Sequence, residues 1–208
     1  MPGLVLPLHI FEPRYRKLTQ ALLDLPDGTP RQFGVIAIQP GYTGDVTAQS
    51  ALYAVGCTAE LREVTPYEDG RFDIVSVGHL RFELTEIDTS ADTPYLTGLV
   101  NFLGEPDGVD DAEELAILAD RVALRFAAYR DRLRVDQAGV PTDPRVLSYL
   151  VAAAAVLTLP TRQALLAEVD TATRLRAELE LLRREIGLID AFGALPAVDL
   201  LREQIVPN

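Results

Sequence analysis

The sequence predicts an α+β fold, with a β-rich half carrying one inserted helix and then an all-helical half. Three observations predict it. Before residue 104, six short runs rich in β-branched and aromatic residues are separated by turn residues. After residue 105, apolar residues recur every three or four positions. Glu105-Pro106-Asp107-Gly108 punctuates the change of regime. The expected subdomains are therefore 1–104 and 105–208.

In the first half the candidate strands are 4–8, 33–39, 52–64, 71–78, 81–88 and 95–103. Glu68-Asp69-Gly70 lies between two of them and signals a hairpin, because glycine tolerates the positive φ of a tight turn. Gly78-His79 and Thr93-Pro94 are expected to break the chain. Six strands at this spacing suggest a barrel or sandwich rather than a βαβ sheet. A helix is expected from Pro13, whose missing N–H costs nothing at the first helical position. Tyr15, Leu18, Leu22 and Leu25 give it one apolar face, and Pro26-Asp27-Gly28 ends it.

In the second half Leu115, Leu118, Val122, Phe126, Tyr129 and Leu133 form one face of a helix over 111–135. Asp143-Pro144 reads as a cap followed by a first-turn proline, opening a helix that Pro160 is expected to break. A short helix follows. Asp170 then caps a long one, in which Leu175, Leu179, Leu182, Ile186 and Ile189 keep a heptad rhythm. That face is either bundle core or a partner-binding seam, and an amphipathic face first satisfies its own domain. The tail beyond Ile189 is only weakly periodic.

Bulk properties exclude several functions. Hydrophobic residues make up 48% and charged residues 24%, enough apolar content for a core. No apolar run reaches the ~18 residues that span a bilayer, and no basic segment precedes the first apolar one, so the cytoplasm is the expected compartment. The lone Cys57 agrees with a reducing environment. The net charge of −12, shared evenly between the halves, repels phosphate backbones and disfavours nucleic acid and anionic membranes as partners. Lys17 is the only lysine and follows no glycine-rich turn, so neither a phosphate-binding P-loop nor a Ser-Lys dyad has a credible context.

The densest cluster of chemistry is His9, Glu12, Arg14, Tyr15 and Arg16. Glu12 or His9 as base and an arginine as clamp would make an acid–base site. The competing reading is a charged corner between a strand and a helix, with Glu12 at the helix N-terminus, where the dipole favours a carboxylate, and an arginine neutralising it. No second polar cluster completes a catalytic site, which favours the corner. Cys57 lies in an apolar strand-like run, where cysteine behaves as a small hydrophobe. One cysteine and two histidines without short ligand spacing make a poor zinc set. Asp110, Asp111, Glu113 and Glu114 are expected at a helix start for the dipole alone. No catalytic residue, metal or cofactor is expected.

The strings LPLHIFEPRYRKL, FGVIAI, VGCTAEL, DGRFDIVSVGHLRFEL and PYL, in this order, resemble the N-terminal, substrate-binding domain of Lon proteases. LSYLVAAAAVLTLPTRQALLAEVDTATRLRAELELLRREI is similar to the helical end of the same domain, so the resemblance covers about 3–189. It implies a PUA-like β pseudobarrel followed by a helical bundle. In Lon proteases this domain contacts protein substrates and helps organise the hexamer, and relatives of it serve as adaptor parts in cereblon and some RING-finger ligases. The ATPase and peptidase domains have no counterpart here, so a stand-alone form is expected. Family members usually open with one more strand, ending Phe-Pro-Gly. Met1-Pro2-Gly3 occupies that end, which suggests a native start upstream.

The expected function is thus a non-enzymatic polypeptide-binding or adaptor module tied to protein quality control. Its partner would be protein or unfolded polypeptide, held on apolar surface near the junction of barrel and bundle. Two alternatives remain open. One is an RNA-binding PUA-like protein using Arg14, Arg16, Arg31 and Arg62 as a basic stripe. The other is a hydrolase of unrecognised type with His9 or His79 beside a carboxylate in an enclosed pocket.

Overall fold

The six apolar runs of the first half become five strands, because two of them fuse. The computed structural model describes residues 1–42, 48–135 and 139–192. Its strands are β1 (Val5–Ile10), β2 (Gln32–Val35), β3 (Val55–Pro66), β4 (Phe72–Ile87) and β5 (Gly98–Phe102), with helix α1 (Pro13–Leu23) between β1 and β2. All belong to one antiparallel sheet in the order β1-β4-β3-β2, and β5 also pairs with β4. The chain divides into two compact units, Met1–Gly104 and Glu105–Asn208.

The fused strand β4 has 16 residues. β3 runs beside it from Phe72 to Glu83. On its other flank β1 covers Phe72–Val77 and β5 covers Phe82–Ile87. The expected break at Gly78-His79 is instead the point where one neighbour gives way to the other. Gly78 donates to the Leu4 carbonyl (2.9 Å) and accepts from Gly3 (2.8 Å), and a Cβ on Gly78 would collide with the Met1 carbonyl oxygen. The glycine is needed for close approach, not to end the strand. The alternation slips there. Phe72, Ile74 and Ser76 are buried before it, and adjacent Arg81 and Phe82 are buried after it. The Phe82 ring lies where a Cβ on Gly56 of β3 would stand, and 3.3 Å from where one on Gly34 of β2 would. These two glycines let a large ring fill the sheet's inner face.

Helix α1 starts at Pro13 and stops at Leu23, short of Leu25. It buries Thr19 and Leu22, while Tyr15 remains 40% exposed. The run at 33–39 is strand only to Val35. Ile38 then makes an isolated bridge to Leu52.

The second unit holds α2 (Ala112–Arg132), α3 (Pro144–Ala154), α4 (Leu159–Ala167) and α5 (Thr171–Phe192). Caps set the starts. Asp111 accepts from Glu113 N–H, Asp143 from Val146 N–H and Asp170 from Thr173 N–H. Pro160 does not simply break a helix. It sits in the first turn of α4, behind the Thr158 cap, and the preceding helix has already ended at Ala154. The acidic run at 110–114 supplies the α2 cap and first turn. The heptad residues Leu175, Leu182, Ile186 and Ile189 are buried with Val122, Phe126, Tyr129, Leu147 and Val151, and Leu179 packs against them. That face is therefore bundle core. Each such side chain contributes roughly 1.5–3 kcal/mol on burial. The tail from residue 193 lies outside the described residues.

A polar network crosses this apolar core. Arg174 is fully buried. It donates to the Leu165 carbonyl (2.9 Å) and to Ser148 Oγ (3.1 Å), lies 4.1 Å over the Tyr149 ring and approaches Glu105 Oε2 at 4.0 Å. Tyr149 donates its hydroxyl to the Glu105 carboxylate at 2.7–2.8 Å. Glu178, one turn along α5 from Arg174, is fully buried too, and among the described residues neither of its oxygens has a hydrogen-bond partner. Burial pushes its carboxyl well above the ordinary carboxylate range, partly offset by Arg174.

The sign of the resulting pH dependence follows from linkage. A carboxyl raised on folding binds its proton more tightly folded than unfolded, so its contribution is most favourable below the ordinary glutamate value of about 4.3 and is lost as pH rises above it. Glu178→Gln removes this titration. In thermal denaturation the variant should gain on the parent progressively as pH rises above about 4, with a constant difference below about pH 4. Parallel curves throughout would contradict a raised Glu178.

Candidate interaction site

Antiparallel register gathers distant residues at one end of the sheet. β1 pairs with β4 so that His9 stands beside Asp73, and β3 pairs so that Thr65 stands beside Asp73 on the other flank. The β3–β4 hairpin closes just beyond, with Tyr67 N–H donating to the Arg71 carbonyl and Gly70 at φ 79°. This is the turn expected from Glu68-Asp69-Gly70.

His9 Nδ1 lies 2.6 Å from Asp73 Oδ1, and Tyr67 donates its hydroxyl to Asp73 Oδ2. Arg71 Nη1 lies 3.3 Å from His9 Nε2. Arginine is always a donor, so Nε2 accepts and the ring proton resides on Nδ1, which donates to Asp73. Arg71 also pairs with Asp69 at 2.7 Å and lies over the Tyr67 ring. Arg16 reaches from α1 to the Asp69 carbonyl at 3.0 Å. The His9 ring stacks 6.2 Å from Phe11 and meets Tyr67 edge-on at 6.0 Å. Hydrogen bonds from Tyr67 and then His9 hold the Asp73 carboxyl below the usual aspartate range, and the same bond holds Tyr67 above the usual phenol value. The Arg71 backbone N–H, then its side chain, lowers Asp69.

The five residues singled out from the sequence separate into two groups. His9 and Arg16 join the hairpin. Glu12, Arg14 and Tyr15 form a local set: the Glu12 carboxylate accepts from Arg14 Nε (2.9 Å) and pairs with Nη2 (2.8 Å), while the guanidinium lies 4.9 Å over the Tyr15 ring. Glu12 occupies the N-cap position of α1, yet its side chain makes no capping bond. The Glu12 and Arg14 side chains are 38% and 40% exposed, so their pair contributes at most about 1 kcal/mol. The strand-to-helix corner is tied instead through His9–Asp73 and Arg16–Asp69. Sequence reasoning missed Tyr67, Asp69, Arg71 and Asp73. The hairpin signal was readable, but the pairing of His9 with Asp73 across 64 residues needs the register of β1 on β4.

Both His9 nitrogens are engaged, and the cluster is exposed. Cys57 is 5% exposed within β3, with Sγ 3.2 Å from the Thr58 carbonyl. Among the described residues no group of three or more His, Cys, Asp or Glu is placed to hold a metal. Phe11 is 60% and Tyr67 41% exposed. Phe11 stacks on His9, and Tyr67 is held by its bond to Asp73 and by Arg71 over its ring.

A family model described as the ATP-dependent protease La (LON) substrate-binding domain matches residues 1–184. The chain belongs to this family. Lon protease of Azorhizobium caulinodans is 26% identical over 194 residues, which are 90% of this chain and 22% of that protein. Lon protease 1 of Thermus thermophilus is 28% identical over 150 residues, 68% of this chain and 18% of its own. This LON substrate-binding domain therefore spans about a fifth of the length of these curated relatives. Two solved structures share its fold. A Lon N-terminal domain protein from Xanthomonas campestris has a TM-score of 0.60 at 23% identity, covering 88% of this chain and 90% of that one. The N-terminal domain of the Mycobacterium avium complex Lon protease has a TM-score of 0.62 at 20% identity, covering 88% and 91%.

The corner makes a direct electrostatic prediction for this LON substrate-binding domain. An aspartate lowered on folding contributes stability above its ordinary value of about 3.9 and loses it as pH falls further. The Asp73 carboxyl carbon, followed by NMR, should titrate below about pH 3.9. Tyr67→Phe, which removes the leading cause, should move that midpoint upward. An unmoved midpoint would show that the hydroxyl does not reach Asp73 in solution.

Proposed function

We propose that this LON substrate-binding domain is a non-enzymatic module that binds polypeptide and acts as an adaptor, presenting unfolded or degradation-bound segments in protein quality control. One observation carries the reading most: Val5, Phe11, Leu96, Leu99 and Phe102, all in the sheet unit, are each more than half exposed. Single exposed apolar residues are ordinary, but Leu96, Leu99 and Phe102 fall within seven consecutive residues in and beside one strand. Covering them gains roughly 25 cal/mol per Å². The family description, a substrate-binding domain, supports the same direction.

The charge pattern supports protein over nucleic acid. The net charge of −12 opposes phosphate contact. The arginines of the conceivable basic stripe also have acceptors. Arg14 pairs with Glu12 and Arg62 with Glu60, while Arg16 and Arg31 donate to the carbonyls of Asp69 and Leu23. Work in the cytoplasm suits a sequence with a single cysteine.

Fluorescence anisotropy of the full chain with a reduced, carboxymethylated protein tests the proposal. Binding to the unfolded polypeptide is expected without nucleotide, with none to the folded form of that protein and none to single-stranded RNA. Salt-sensitive RNA binding with no polypeptide binding would overturn it.

A further inference from the structure

Among the described residues three strands of the sheet pair on one side only, and they are not equally protected. β2 is only four residues long. On β1 the Gly78 N–H to Leu4 carbonyl bond fixes the alternation, so Leu4, Leu6, Leu8 and Ile10 bond toward β4 and Val5, Pro7 and His9 turn their backbone outward. Pro7 has no N–H to offer there, and His9 is held in the charged corner. Both devices blunt an edge.

β5 carries neither device. Its sequence is Gly-Leu-Val-Asn-Phe, without charge or proline. Leu103 N–H donates to the Arg81 carbonyl and Asp88 N–H to the Thr97 carbonyl, and the register sets Asn101 against Glu83 and Leu99 against Glu86. Odd positions therefore bond to β4, and Gly98, Val100 and Phe102 present their N–H and C=O groups outward. Among the described residues β5 pairs with no strand but β4. Such an edge is a template for another strand.

The side chains define what would fit. Phe102 stands beside Phe82 and Val100 beside Leu84 on one face, and Phe102 is 60% exposed. On the other face Asn101 stands beside Glu83 and Leu99 beside exposed Glu86. Residues 82–103 hold Glu83, Glu86, Asp88 and Asp92 and no Lys, Arg or His. A strand added to β5 lies two places from β4, roughly 9–10 Å away. An extended arginine or lysine on it and a glutamate on β4 together cover that gap.

We propose that the open edge of β5 takes up an extended polypeptide segment whose apolar side chains alternate with basic ones, by strand addition. The apolar set packs on Phe102 and Val100, and the basic set meets Glu83 and Glu86. Backbone pairing supplies affinity for any extended chain, and the two faces supply the preference. This rests on the polypeptide-binding reading above and gives it a substrate class.

The test uses the full chain and two synthetic ten-residue peptides, one alternating valine with lysine and one alternating valine with glutamate. The lysine peptide should bind and slow hydrogen exchange at the Val100 and Phe102 amides, while the glutamate peptide should not bind. Val100→Pro removes an outward N–H without touching the ladder to β4, and should weaken the lysine peptide about tenfold. A double variant, Glu83→Lys with Glu86→Lys, should lose the lysine peptide and gain the glutamate one, and misfolding cannot produce such a gain. Equal affinity of the parent and Val100→Pro for the lysine peptide, or protection on β1 in place of β5, would overturn the proposal. If unfolded polypeptide binds but the lysine peptide does not, the edge falls and the broader function stands. If neither binds, both fall.

Discussion

Strand β4 is the member on which the whole sheet unit depends. β3 pairs with most of its length, and its other flank is divided between β1 and β5. The division falls at Gly78–Arg81, where the chain must let the Met1–Leu4 segment approach closely and then turn a buried arginine toward the Gly104 carbonyl. A side chain at Gly78 would keep that segment from closing on β4. The exposed features at both ends follow from the division. At one end it places His9 of β1 against Asp73 and the hairpin. At the other, among the described residues, it leaves β5 held by a single neighbour.

The two ends differ in how they meet solvent. At the corner, Asp73 accepts from Tyr67 and His9, and Arg71 bridges His9 and Asp69, so the polar groups satisfy one another and the rings are fixed in place. These are exposed pairs, which set geometry more than they add stability. The helical unit adds two buried ionisable groups to its exposed ion pairs: Arg174 uses its donors on Leu165, Ser148 and neighbouring acceptors, while among the described residues Glu178 has no hydrogen-bond partner. A buried carboxyl is costly as an anion, so burial raises the affinity of Glu178 for its proton.

Much of this architecture was legible in the sequence because its signals are local. Asp143-Pro144, Asp170 and Pro13 marked helix starts, the heptad at 175–189 marked core, and Glu68-Asp69-Gly70 marked the hairpin. The strings around His9 and Cys57 carried the family. What escaped was non-local. Gly78 looks like a breaker until the segment that lies against it is known, and Pro160 looks like one until Thr158 is seen to cap a new helix. Glu12 and Arg14 drew attention by density, yet they pair with each other across two residues, whereas the residues that gather around His9 come from a turn some sixty positions away. Register, which only tertiary structure fixes, decided membership of the site.

Among the described residues β4 is the one strand that holds β5, and the far side of β5 is open. Native-state hydrogen exchange of the free chain, read residue by residue, tests it most directly. The Leu84 amide, bonded to the Ala54 carbonyl, should exchange slowly, while the Val100 and Phe102 amides should exchange close to the rate of unstructured chain. Strong protection at Val100 and Phe102 with no ligand present would mean that the edge is already covered, and would contradict the account.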